Sequence, residues 1–219
     1  MPEELGKIEK PPVEGFKKGR KLFFVPLILP GQEMPPEFKV IYNRYWDQVD
    51  AQINSLEAKL GPAKHVFHEL VPESGEEGLK ALEEMKVNSL LIVKNRIEKG
   101  AAFEAIEDKE VLSELMDWSR CLSLGLQSQK VFSQIYKFYN EALKTRDEVL
   151  SKKFNELLKD DESAVLIMVE GHHVQFPDDV STFYVAPPAL DEIKRWMRDY
   201  QAKQKETPPE QSEQDTETL

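Results

Sequence analysis

Short apolar runs alternate with helix-length amphipathic segments along most of this chain. The run at 164–169, Ala-Val-Leu-Ile-Met-Val, is the clearest, and such a run is typical of a strand buried on both faces. Further strands are predicted over 21–29, 65–71, 101–106 and 181–185. Strands that alternate with helices form βαβ units, so the sequence predicts an α/β fold with a mostly parallel central sheet flanked by helices.

Helices are predicted between the strands from apolar residues three and four positions apart. They cover 37–60, 75–85 with Ser74 as the cap, 90–98, a long segment of about 109–158 that breaks weakly at Gly125, and 189–201. The long segment is expected to form a flank or a cap of the sheet. Aromatic residues at helix-face spacing, among them Trp118 and Tyr136, are expected in the core.

Length and composition favour one domain with two tails. A chain of 219 residues with 40% hydrophobic residues is long enough for one good core and short for two full domains. The two ends, 1–20 and 203–219, are rich in charged residues, proline and other residues that bury little apolar surface, so both are predicted to be disordered. This leaves 21–202 as a single α/β domain.

The charge and the cysteine content limit the partners and the compartment. The formal net charge of −11 opposes binding to duplex nucleic acid or to an anionic membrane, so neither is an expected partner. Cys121 is the single cysteine, which excludes an intramolecular disulfide and a cysteine metal cage. The first 20 residues lack the apolar stretch of a signal peptide, and we therefore expect a cytoplasmic protein.

The four histidines occur in two pairs, His65 with His68 and His172 with His173. On a strand, side chains alternate between the two faces, so His65 and Glu69 share a face about 13 Å apart while His68 points to the other face. Ligands of open parallel sheets bind at the carboxyl ends of the strands. This rule favours His68 or Glu69 over His65 as part of a site.

The second histidine pair follows the strand 164–169. The sequence Glu170-Gly171-His172-His173 stands at the carboxyl end of that strand, so Glu69 and His172 are expected on one rim if the two strands are near neighbours. Carboxylate and imidazole groups suit a divalent metal or acid and base chemistry. The alternative is a strand end whose polar residues hydrogen-bond only to loop backbone.

The passage from the long helix into this strand resembles the carboxyl-terminal signature of the TraB/Tiki-like group, which includes pheromone-shutdown and ChaN-like proteins. Arg146 lies on a helix, the apolar strand follows after a short linker, and the Gly-x-x-His turn of that group is similar to Val169-Glu170-Gly171-His172, with valine in place of the first glycine. The segments ending in Glu69 and Glu107 are also similar to the group. The histidine that the group carries after its first strand is absent from 27–31.

The resemblance implies a hydrolase whose site contains Glu69, Glu107, Arg146 and His172, and the absence of one histidine of the group makes that site a degenerate one. The cofactor it implies is a divalent metal, with Glu69, His172 and His173 as ligands, and Glu33 or His173 in place of the absent histidine. The substrate would be a small molecule or a peptide. The alternative function is a non-catalytic binding or regulatory module that uses its acidic surface or its helical flank to bind a protein partner, and both functions stay open at this point.

Overall fold

A parallel sheet of five strands forms the centre of the molecule, which confirms the predicted α/β fold. The computed structural model describes residues 18–29 and 35–206. The strands are β1 Arg20–Pro26, β2 His65–His68, β3 Ala102–Phe103, β4 Ser163–Met168 and β5 Val180–Tyr184. The helices are α1 Pro36–Leu60, α2 Gly75–Met85, α3 Ser89–Glu98, α4 Lys109–Ser123, α5 Gln129–Leu157 and α6 Pro188–Glu206. Among the described residues, no helix has the length and apolarity needed to cross a membrane.

The strand order is β3-β2-β4-β1-β5, and every pair is parallel. Strand β4, the fourth along the chain, therefore lies between β1 and β2. Its residue Val165 pairs with Phe23 of β1 on one side and with Val66 of β2 on the other. Because the strands are parallel, the segments that follow β1, β2, β3 and β4 all leave the sheet at the same edge. This edge is where the candidate site is built.

The two faces of the sheet are covered by different elements. One face packs against α1, α2, α3 and α6, and its core includes Tyr45, Trp46 and Ile53 of α1. The other face packs against the carboxyl-terminal half of α5 through Leu150 and Phe154, and against the β4–β5 connection through Val174. The strands are thus buried on both faces, as their continuous apolar sequences indicate.

The long helical segment predicted over 109–158 forms a helical hairpin of α4 and α5. It breaks at residues 124–128, around Gly125, where φ is +65°. The buried residues of α5 are Ala142, Arg146, Leu150 and Phe154, so only the second half of this helix flanks the sheet. The first half projects beyond the sheet edge together with α4, so the expected role as a flank of the sheet applies to the second half of α5 alone.

Pro26 fits into the central strand β1 because of where its nitrogen points. Leu27 N donates to Met168 O on the β4 side, and Val185 N donates to Phe24 O on the β5 side. Since successive residues of a strand face opposite neighbours, the nitrogen of Pro26 faces β5, beyond the last registered pair, Phe24 with Tyr184. Proline therefore removes no ladder hydrogen bond, and β1 ends there without a bulge.

Both predicted tail boundaries need correction. Arg20 was expected in the tail 1–20, but it begins β1, where its guanidinium donates to Asp179 and Asn155. At the other end α6 continues through residues 203–206, beyond the predicted start of the tail at 203. Residues 1–17 and 207–219, the rest of the two predicted tails, lie outside the described residues.

Candidate functional site

Three of the four residues implied by the resemblance meet at the carboxyl edge of the sheet. Arg146 of α5 donates from Nη2 to Glu69 Oε1 at 2.8 Å and from Nε to both carboxylate oxygens of Glu107, at 3.2 and 3.1 Å. Glu69, Glu107 and Arg146 are all buried. These three residues form a buried, ion-paired triad, the clamp.

Local backbone features aim each side chain of the clamp. Glu69 follows β2 in a turn whose next residue, Leu70, has a left-handed φ of 68°. Asp108 caps the first turn of α4, since its Oδ1 accepts from Glu110 N at 3.0 Å and Val111 N at 3.2 Å. The preceding carboxylate, Glu107, is turned inward toward Arg146. The acidic pair Glu107-Asp108 thus divides into one clamp residue and one helix cap.

The two carboxylates of the clamp compensate the positive charge of its guanidinium. Burial by itself lowers the pKa of Arg146, but the hydrogen bond and charge of Glu107, and then those of Glu69, raise the pKa above its ordinary value. Val169 N donates to the second oxygen of Glu69, Oε2, at 2.6 Å, which ties the β2 turn to the end of β4. The guanidinium is held by two carboxylates, so the clamp positions α5 against β2 and β4 and offers no uncompensated cation to a ligand.

A cleft of about 370 Å³ opens beside the clamp. It lies between the base of the α4–α5 hairpin and the turn that follows β4. Its lining includes Glu69, Leu112, Leu115, Tyr139, Arg146, Asp147, Glu170, Gly171, His172 and His173. Glu69 and His172 therefore border the same cleft, as their positions after the neighbouring strands β2 and β4 led us to expect.

Two side-chain atoms that belong to this lining are buried and have no hydrogen-bond partner. They are Oδ1 of Asp147, on α5 directly after Arg146, and Nδ1 of His172, in the turn after β4. Burial raises the pKa of Asp147, against the opposing charges of Arg146 and the two histidines. Burial also lowers the pKa of His172, against the charges of Asp147 and Glu69. Both shifts have the direction expected for charged groups withdrawn from water.

His172 also borders a second, aromatic cavity of about 330 Å³. Its ring lies 5.1 Å from the ring of Phe24 and 5.9 Å from that of Phe176, measured between centroids. Phe24, Phe176, Thr182 and Tyr184 line this cavity, which shares Glu170, Gly171 and His172 with the cleft. The side chain of Glu170 is held by Lys194 and by the hydroxyl of Tyr184. The imidazole therefore stands between a polar cleft and an aromatic cavity.

The other histidine pair lies away from the cleft. His65 is at the amino end of β2, where its ring nitrogens contact Glu104 at 3.3 Å and Glu162 at 3.0 Å. His68 points to the opposite face, where its Nε2 is 2.9 Å from the hydroxyl of Ser89. The strand alternation predicted from the sequence accounts for both positions.

The predicted metal ligands Glu69, His172 and His173 do not fit a metal ion in this arrangement. Both oxygens of Glu69 are engaged, one by Arg146 and the other by Val169 N. Within residues 18–29 and 35–206, no group of three or more His, Cys, Asp or Glu side chains could hold a metal ion. Glu33, named as a substitute ligand, lies outside the described residues.

Asp147 is a charged residue of the cleft that no sequence pattern indicated. Its neighbour Arg146 carried the resemblance, and a one-residue step along a helix turns the side chain by about 100°, from the clamp to the cleft. The fold and the site together define an α/β protein with a polar cleft at the carboxyl ends of a parallel sheet. Comparison of the chain with models of protein families, with curated proteins and with solved structures finds no match.

Proposed function

We propose that this chain binds a small molecule or a peptide in the cleft beside the clamp. The supporting observation is that Asp147 Oδ1 and His172 Nδ1 are buried in its lining without partners. A buried polar atom left unpaired costs about 1–3 kcal/mol, so two of them in one cleft favour a ligand that supplies the missing hydrogen bonds. The position outside the carboxyl ends of parallel strands is the usual place for a ligand in such sheets.

The chemistry of the two atoms indicates what the ligand offers. A carboxylate only accepts hydrogen bonds, so the ligand must present a donor such as an amine, amide or hydroxyl group to Asp147. The imidazole nitrogen can accept or donate, according to its tautomer. The net charge of −11 is unsuited to nucleic acid, and the single cysteine supports the cytoplasmic location that we propose for the protein.

Crystal soaking with a panel of small donors tests this proposal. Ethanolamine, glycinamide and diglycine carry the required groups, and we expect at least one to contact Asp147 and His172 and to raise the melting temperature. Asp147→Asn should abolish that shift, and Glu148→Gln, which changes the next and exposed residue, should retain it. An ordered water that bridges the two atoms and that no panel member displaces would refute the proposal.

A hydrolase is the second candidate function, and the observation that favours it is the convergence of Glu69, Glu107 and Arg146 beside the cleft. These are residues that the resemblance to the TraB/Tiki-like group implies. In this candidate, His172 contacts the substrate and the clamp is a positioning device that holds Asp147 and the β4 turn. The catalytic role of each residue stays a prediction.

Hydrolysis of a chromogenic peptide panel, measured with and without Zn²⁺, Mn²⁺ or Mg²⁺, tests the second candidate. We expect activity that His172→Gln removes and that Glu148→Gln keeps. Metal dependence is tested separately by thermal shift. The decisive result is an ion that stabilises the wild type but not the Glu69→Ala, His172→Ala double variant. That result would show that these residues bind a metal ion, although their present arrangement does not fit one. Absence of turnover in all conditions would leave binding as the function and reject the hydrolase.

A further inference from the structure

The projecting half of the α4–α5 hairpin carries more apolar surface than one helix partner can cover. In the stretch Val131 to Tyr139 of α5, six of nine residues are apolar or aromatic. Counting three and four residues apart, they fall on two neighbouring stripes, one of Val131, Ile135 and Phe138 and the other of Phe132, Tyr136 and Tyr139. A helix with two such stripes is typical of a helix that packs against more than one neighbour.

Helix α4 contacts the first stripe, but both stripes keep exposed residues: Val131 is 46% and Phe138 41% exposed on the first, and Phe132 is 39% exposed on the second. Trp118 of α4 stacks on Phe138 with centroids 5.0 Å apart. Phe132 and Tyr136 stack on each other, and Tyr136 remains 51% exposed. Among the described residues, neither of the two core clusters that cover the sheet faces includes a residue between Ile106 and Leu150. Trp118 and Tyr136, which were expected in the core from their spacing, therefore belong to the hairpin and not to the core.

Charge is segregated along the hairpin. The tip, residues 118–140, carries the basic side chains Arg120, Lys130 and Lys137 and no carboxylate. The base, residues 109–117 and 141–148, carries six carboxylates and three basic side chains. Arg120 pairs with Asp117 and Lys137 with Glu141, but both pairs are solvent-exposed and worth about 1 kcal/mol or less. The hairpin thus has a net-positive tip and a net-negative base.

We propose that the hairpin docks against the same hairpin of a second copy of this chain, side by side and antiparallel. In this arrangement the positive tip of each copy lies along the negative base of the other, whereas tip-to-tip packing would oppose like charges. The four helices form a bundle whose interior receives both second stripes, which is the usual way two helical hairpins bury such surface. The contact is self-complementary about a two-fold axis and closes at two copies.

The hairpin tip projects far enough to keep the acidic bodies of the two copies apart in the proposed dimer. Residues 129–141 of α5 extend the tip about 20 Å, at about 1.5 Å per residue. The Debye length is about 8 Å at physiological ionic strength, so repulsion between two bodies of negative charge is screened over that distance. The proposal does not rest on the ligand-binding cleft, although the partner's tip would lie close to the cleft mouth at Leu112 and Leu143.

Analytical ultracentrifugation of the full chain tests the contact. We expect a species of twice the 25.3 kDa monomer mass at micromolar concentration. The Phe132→Ser, Tyr136→Ser double variant should weaken association about 100-fold or more, since it removes two large apolar side chains from the buried stripe. The matched control, Val40→Ser with Leu91→Ser, alters exposed apolar residues of α1 and α3 and should leave the dimer intact.

Charge reversal tests the antiparallel arrangement. Lys130→Glu with Lys137→Glu makes the tip acidic, and Glu110→Lys with Glu114→Lys makes the base more basic. Each double variant should dimerise more weakly than the wild type, because like charges meet, and an equimolar mixture of the two should form a mixed dimer. Circular dichroism verifies that each variant is folded.

Three outcomes overturn the proposal. The first is a wild-type monomer up to about 100 μM, where an interface of this kind should be occupied. The second is a dimer that the Phe132→Ser, Tyr136→Ser variant leaves unchanged, or charge variants whose mixture does not associate. The third is a monomer that binds phosphatidylglycerol vesicles through Arg120, Lys130 and Lys137, which would assign the same surface to a membrane.

Discussion

His68 illustrates how burial determines the behaviour of a single residue. Its Nδ1 donates to the Glu69 carbonyl, so its Nε2 accepts from the Ser89 hydroxyl and the ring is neutral. Burial lowers the pKa of His68 from its ordinary 6.5 to about 4. Protonation of His68 would require the Ser89 hydroxyl to turn and accept from Nε2, and it would place a positive charge in a buried position.

This shift makes the stability of the protein depend on pH in a defined window. Between pH 6.5 and about 4, the unfolded chain binds a proton at His68 and the folded protein does not, so stability falls as the pH falls. We expect a loss of up to about 3 kcal/mol across this window. Urea denaturation at pH 7, 5.5 and 4.5 measures it.

The His68→Gln variant is the control for this prediction, because it keeps a polar side chain and removes the titration. The wild-type slope of stability against pH should exceed that of the variant within the window. Equal slopes would show that His172, whose pKa burial also lowers, or other groups account for the pH dependence.

At the scale of elements, the clamp joins α5 to the turns after β2 and β3. Arg146→Met should destabilise the protein by about 3–5 kcal/mol, because it leaves the buried carboxylates of Glu69 and Glu107 facing each other without a cation. Adding Glu69→Gln and Glu107→Gln should recover most of the loss. Chemical denaturation measures both changes.

Arg120→Met is the matched control for the clamp. It removes an arginine from an exposed ion pair with Asp117 on α4, and it should change stability by less than about 1 kcal/mol. A clamp variant that costs no more than this control would mean that Arg146 does not hold α5 in place.

The packing of α2 against β3 requires a glycine. A Cβ on Gly78 would overlap the carbonyl oxygen of Glu73 and the ring of Phe103. Glycine to alanine in an exposed helix usually stabilises by about 1 kcal/mol, but here we expect Gly78→Ala to destabilise by about 1–3 kcal/mol. Thermal unfolding of this variant beside Glu77→Ala, which changes the preceding exposed residue, distinguishes steric overlap from helix propensity.

At the scale of the whole molecule, the hairpin tip is an appendage to a sheet that folds around its own two cores. Replacing 119–137 by four Gly and Ser residues should leave a folded protein with a melting temperature within about 5 °C of the wild type. Trp118 and Phe138 already lie side by side, and four residues span the roughly 10 Å between two packed helices.

Circular dichroism and sedimentation of this deletion variant test the separation of hairpin and body. The variant should be folded and monomeric. An unfolded variant would mean that the tip contributes to the core. This would contradict the finding that neither core cluster contains a residue of the tip.

The site was only partly accessible from the sequence. Glu69 and His172 were expected on one rim if their strands were neighbours, because each stands at or near the carboxyl end of a predicted strand, and both border the cleft. The resemblance placed Arg146, Glu69 and Glu107 in one site, but no local pattern encodes their pairing, which joins residues 77 and 39 positions apart. Asp147 was missed because its importance comes from burial opposite the β4 turn and not from a motif.

The sequence by itself determined the number, type and order of the elements, including α2 at Gly75–Met85. These follow from periodicity and from turn residues, which act over a few positions of the chain. Only the tertiary structure decided that β4 enters between β1 and β2, that half of the long helix leaves the sheet, and that Asp147 and His172 border one cleft. These depend on packing between segments tens to more than a hundred residues apart, where contact is decided by the burial of whole faces and not by local pattern.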